Sequence, residues 1–79
     1  MKQAYPAEII KDEQGRYFVR FLDFAEAITE GESLQEALAN AQEVLALTLE
    51  ARRAEGLPIP KAQPAAGENI HFIAMADQK

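Results

Sequence analysis

The sequence predicts an α+β fold: a three-stranded antiparallel sheet, one long helix packed on it and a short fourth strand, in the order β-β-β-α-β. Three observations carry this. Residues 33–56, SLQEALANAQEVLALTLEARRAEG, keep apolar side chains at spacings of three and four, the period of one helix face. Residues 5–31 fall into short runs of alternating apolar and polar side chains between turn-forming residues, the period of strands. Residues 57–68, LPIPKAQPAAGE, hold three prolines and a glycine, which make a linker extended and irregular.

Tyr5 to Lys11 reads as the first strand, with Tyr5, Ala7 and Ile9 on one side and Glu8 opposite. Pro6 early in the run argues for an edge strand or for a place among the strand's first residues, because proline brings no backbone donor to a ladder. Asp12-Glu13-Gln14-Gly15 is a hairpin loop in which Gly15 is free to take a positive φ. Arg16 to Phe21 returns, with Tyr17, Val19 and Phe21 pointing one way and Phe18 and Arg20 the other. Leu22 to Glu26 connects to a short third strand, Ala27-Ile28-Thr29, expected antiparallel to the second. Gly31 is expected to break that strand just before the helix.

Ser33 and Glu36 form a capping box, each side chain able to satisfy a backbone N–H left over at a helix start. The main apolar stripe is Leu34, Ala37, Leu38, Ala41, Leu45, Thr48 and Leu49. Gly56 suits the left-handed position after a helix, and Pro58 and Pro60 forbid continuation. At about 1.5 Å per residue the helix is a rod of roughly 33 Å, long for so short a chain. A weaker stripe, Val44, Leu47, Ala51 and Ala54, is expected to close a homodimer or to accept the linker. Residues 69–74 read as the last strand, apolar at Ile70, Phe72 and Ile73, and residues 75–79 as a frayed end. One domain over 1–79 is expected: a β-meander over 1–32, the helix over 33–56, the linker over 57–68 and the last strand over 69–74.

Composition narrows the function. The chain has 79 residues, 48% of them hydrophobic, near the lower limit for a self-sufficient core. There is no cysteine, so neither a disulfide framework nor thiolate chemistry is available. The N-terminus lacks the apolar core of a signal peptide, and no run approaches the roughly 20 apolar residues that cross a membrane. A cytoplasmic location follows as the expectation. The net charge of −5 argues against nonspecific nucleic-acid binding, which needs Lys and Arg against phosphate. Between Phe21 and Ala51 there is no basic residue, while Asp23, Glu26, Glu30, Glu32, Glu36, Glu43 and Glu50 all fall there. Such a run is either a solvated face or a surface complementary to a basic partner.

Catalytic signals are scarce. His71 is the only histidine and has no marked partner in sequence. Ser33 is explained as a cap. The glycines at 15, 31, 56 and 67 sit at turns and boundaries and form no phosphate loop. The acidic residues lack the spacing of a metal loop, although Asp23 with Glu26 or Glu30 could assemble a two-carboxylate site in space. Tyr17, Phe18 and Phe21 could stack on single-stranded RNA, yet strand aromatics of this kind more often form a core. The residues by themselves describe a small acidic binding module without cofactor, metal or evident catalysis.

Residues 5–60 also carry a family pattern. It opens with Tyr5-Pro6, continues through Gly15-Arg16-Tyr17 and Phe21-Leu22-Asp23, and runs on as Glu26-Ala27-Ile28-Thr29-Glu30-Gly31-Glu32-Ser33. Glu36-Ala37 and Ala41 follow on the helix, and Gly56, Pro58 and Pro60 close it. This pattern resembles the N-terminal domain of the HicB family of bacterial antitoxins. Ala25 stands where many members have proline, a change expected to loosen that loop. The resemblance implies a partial RNase H-like fold and a non-enzymatic role: binding and neutralising a HicA-type toxin, a small basic ribonuclease that cleaves mRNA. Together with the charge pattern it points to Asp23, Glu26, Thr29, Glu30 and Glu32 as toxin-binding residues; the small size and the weaker helix stripe, apart from the resemblance, make Val44, Leu47 and Ala51 the expected dimer interface. Many members continue into a DNA-binding domain. This chain stops at Lys79, and its own residues are not expected to bind DNA. The alternative is an orphan RNA- or nucleotide-binding module on the same scaffold.

Overall fold

The computed structural model describes residues 4–74, so Met1 to Gln3 and the expected frayed end at 75–79 lie outside the described residues. The elements follow the expected order: β1 (Ala4–Lys11), β2 (Tyr17–Phe21), β3 (Ile28–Gly31), α1 (Leu34–Ala54) and β4 (Ile70–Ala74). All four strands join one antiparallel sheet in the order β3-β2-β1-β4. The expected three-stranded sheet with a separate short strand is therefore corrected: β4 is a full member, pairing with β1 from Ala4↔Ala74 to Glu8↔Ile70.

That pairing makes β1 an interior strand, so of the two readings of Pro6 the edge strand is corrected, and proline sits instead among the strand's first residues. The register explains why proline fits. The β1–β2 ladder begins at Ala7↔Phe21, and the Pro6 carbonyl accepts from Leu22 N–H at 3.2 Å just beyond β2. The missing Pro6 donor thus falls where β2 has already ended. Across the other side, Ile9 N–H donates to Asn69 O at 2.8 Å and closes the β4 end.

The helix lies on one side of this sheet. Tyr5, Ala7 and Ile9 of β1, Val19 and Phe21 of β2 and Ile73 of β4 are buried against Ala37, Ala41, Leu45 and Leu49. Each large apolar side chain so buried contributes about 1.5–3 kcal/mol. Thr48 is the one buried polar member of the stripe among the described residues. Leu34, placed on this stripe by its spacing, is instead exposed, because it opens the first turn beyond the sheet's edge.

The helix ends as its sequence requires. Ser33 is the N-cap, its Oγ accepting from Glu36 N–H at 3.0 Å. The return half of the box differs slightly: Glu36 Oε1 accepts from the N–H of Glu32, one residue earlier than the cap, at 2.6 Å. Gly56 takes φ +70° after the last turn. Gly31 does not break β3 but ends it, paired with Tyr17. A Cβ there would sit 2.5 Å from Ala37 N and 2.8 Å from Ala37 Cα, so only glycine lets the helix start this close to the strand.

Candidate interaction surface

The approach to the helix, residues 22–33, is pinned tightly despite Ala25. Phe21 N–H donates to Ala27 O at 3.1 Å and Ala27 N–H to Phe24 O at 3.0 Å, closing a turn. Phe24 drops fully into the core and meets Tyr5 edge-on, with ring centroids 5.0 Å apart. Arg52, in the last helical turn, covers the other side of the Phe24 ring at 5.0 Å. Its guanidinium grips Glu26 with two hydrogen bonds, 2.8 and 3.0 Å, and donates a third to Pro58 O at 3.0 Å. The Arg52 hydrogen bonds, helped by a backbone N–H, bring the Glu26 carboxyl from its ordinary 4.5 down to about 2, against the opposing pull of desolvation. The same pairing raises Arg52.

Arg52 thereby ties the loop, the helix end and the linker together. Two further contacts hold the linker: Tyr5 Oη donates to Pro60 O at 2.9 Å, and Gln63 donates to Asp23 through Nε2 at 2.9 Å. Ile59 packs on the core. Neither Phe24 nor Arg52 was singled out by sequence. The recoverable signal was an aromatic inside a short connection and an arginine beside a basic neighbour at a helix C-terminus, where cations are favoured.

The expected toxin-binding residues therefore divide. Asp23 and Glu26 already have internal partners near the helix C-terminus. Thr29 is half-buried, paired with Val19. Glu30 bonds Arg16 at 2.6 Å, with both side chains nearly half exposed. Exposed pairs of this kind contribute about 0–1 kcal/mol and re-pair easily. Glu32 is exposed and has no ion pair among the described residues. From there the acidity continues onto the solvent side of α1. Asn40 Nδ2 donates to Glu30 O at 2.8 Å, joining β3 to that side, and Glu43, Leu47 and Glu50 follow at helical spacing. Leu47 is 58% exposed between two carboxylates without ion pairs among the described residues. Of the other expected dimer residues, Ala51 is exposed and Val44 packs partly on the core.

The second surface is the side of the sheet turned away from α1. Ile10 and Phe18 are directly paired and Ile28 lies diagonal to Phe18; they are 45%, 44% and 61% exposed. They line a shallow groove of about 560 Å³ with Glu8, Arg20 and Glu30. Arg20 bonds Glu8 at 2.8 Å across the strands. Arg20 thus does share a side with an exposed aromatic, as RNA stacking would need, but a carboxylate neutralises it. Tyr17 and Phe21 face the helix, so the aromatic platform reduces to Phe18.

No group of three or more His, Asp or Glu side chains that could hold a metal occurs among the described residues. His71, half-buried on β4, has no acid or base partner among them. No described helix is long and apolar enough to cross a membrane.

Residues 4–75 match a family model described as HicB_like antitoxin of bacterial toxin-antitoxin system. The crystal structure of the N-terminal domain of Burkholderia pseudomallei antitoxin HicB is similar in fold, with TM-score 0.70 and 15% identity over 98% of this chain and 100% of that one. No curated protein matches the chain.

Proposed function

The chain belongs to the HicB-like antitoxin family, and on that premise we propose that it binds and neutralises a HicA-type mRNA-cleaving ribonuclease in the cytoplasm. Membership points to a regulatory, non-enzymatic role and to a toxin as partner in general. The narrower reading is supported by one observation above others. Glu43 and Glu50 stand exposed on the solvent side of α1 with Leu47 exposed between them, and Glu32 is exposed just before the helix. A ribonuclease presents cations where RNA phosphate binds, and carboxylates at phosphate-like positions compete for them. Leu47 supplies the apolar anchor that a charged rim alone lacks. Asp23 and Glu26, held by Gln63 and Arg52, shape the loop next to this surface and contribute field more than contact. On this reading Thr29 acts through the β3 backbone it sets. We also read the scaffold as partial RNase H-like, by its element order, and as one domain.

Titration calorimetry with a purified HicA-type ribonuclease from the same genome tests the proposal. Binding is expected to weaken as salt rises, since rim charges are screened. Reversing Glu43 and Glu50 to Lys together should weaken it roughly tenfold or more, equivalent to about 1.4 kcal/mol. Absence of binding at any salt concentration would refute it. An RNA-binding reading would instead require a gel shift with single-stranded RNA at physiological salt, and the Glu8 and Glu30 partners of Arg20 and Arg16 argue against one.

A further inference from the structure

The open side of the sheet carries four of the large exposed apolar residues, Ile10, Phe18, Ile28 and Phe72, and we infer that it docks a second copy of this chain, sheet against sheet. Charge selects the occupant. The ionic groups here are Glu8 with Arg20 and Glu30 with Arg16, two of each sign and mutually paired. The face is thus neutral on a molecule whose net charge is −5, so that whole excess sits elsewhere. A basic partner gains nothing from a neutral face and is drawn to the acidic helix side. A second acidic copy meets no excess of like charge here, as it would across Glu43 and Glu50 on the helix side.

The same reasoning disfavours the helix stripe as the dimer contact. A two-fold axis through Leu47 would set Glu43 and Glu50 of both copies against each other, a like-charge juxtaposition that suppresses association. On the sheet, a two-fold axis brings Arg20 of one copy towards carboxylates of the other, and the pairs can exchange partners without loss. Phe18, central between Ile10 and Ile28, is the anchor. Two such faces stacked about 10 Å apart form an ordinary aligned sandwich. The inference stands apart from the toxin proposal, because it rests on Ile10, Phe18 and Ile28 of the sheet and not on Glu43, Leu47 and Glu50 of the helix.

Sedimentation velocity over a concentration series tests it. The wild-type chain is expected to form dimers that persist or strengthen as salt rises, whereas the toxin complex weakens. Phe18→Asp and Ile28→Lys, both at exposed positions, should each weaken self-association roughly a hundredfold, with circular dichroism confirming an intact fold. Leu47→Glu should leave the dimer unchanged. A wild-type monomer at every concentration would overturn the inference. So would dissociation by Leu47→Glu with the two sheet variants still dimeric. A monomer whose toxin binding is abolished by Phe18→Asp would assign the face to the toxin instead.

Discussion

The two sides of the sheet are built from the same strands, the same alternation and nearly the same residue types. On the covered side Tyr5, Ile9, Val19, Phe21 and Ile73 lie buried under α1. On the open side Ile10, Phe18, Ile28 and Phe72 stand among paired charges. Alternation alone makes them look equivalent. What separates them is that a single helix can cover one side only, so stability concentrates there. The open side keeps apolar side chains that no helix covers, all four between 44% and 61% exposed. Apolar residues that do little for the monomer are free to serve an interface.

The largest expected effect tests that asymmetry directly. Phe21→Ala should cost about 3–5 kcal/mol in urea unfolding, whereas Phe18→Ala, measured in dilute dissociated protein, should stay within roughly 0.5 kcal/mol. Equal losses would mean that the open side is packed after all. Gly31→Ala comes next, at about 1–3 kcal/mol, because the new Cβ meets the Ala37 backbone, which cannot rotate away. A neutral result would show that the helix is not seated so closely on β3. Ser33→Ala should remove about 1 kcal/mol by freeing the Glu36 N–H. The smallest effect lies at the rim between the two sides. Glu26 is ordinarily protonated below 4.5 but stays ionised in the fold down to about 2. Its stabilising contribution is therefore complete above pH 4.5 and disappears as pH falls towards 2. Melting curves of wild type and Glu26→Gln should converge across that window, and a constant gap would exclude the Arg52 pairing as its source.

Local elements were legible because their signals are local. The Ser33 cap, the Gly56 stop, the hairpin at Gly15 and the inward set Tyr17, Val19 and Phe21 all follow from period and propensity. What escaped depended on distant partners. Pro6 reads as an edge signal until the β1–β2 register shows its missing donor past the end of β2. Gly31 reads as a breaker until Ala37 is seen pressing against it. Phe24 reads as connection until Tyr5 and Arg52 enclose it from opposite ends of the sequence. The acidic run was visible as composition, but which carboxylates are free depends on where Arg16, Arg52 and Gln63 fold back. Glu26 and Glu32 are indistinguishable in the sequence and chemically different in the fold.

Placing β1 between β2 and β4 has a kinetic consequence. Its β2 partner follows within a hairpin and can form early, but its β4 partner begins at Ile70, so Ala4 waits for Ala74. Contacts this distant in sequence close slowly, since the loop entropy is lost before the ladder returns it. On the ribosome, the hairpin and the helix can assemble while the outer flank of β1 still presents unpaired backbone groups, a template for another strand. The vulnerable interval in this molecule's life is therefore the time between synthesis of Ala54 and arrival of Ile73. Ile59, Pro58 and Pro60, already anchored to the core, Arg52 and Tyr5, shorten the remaining search by holding the chain near the flank it must complete.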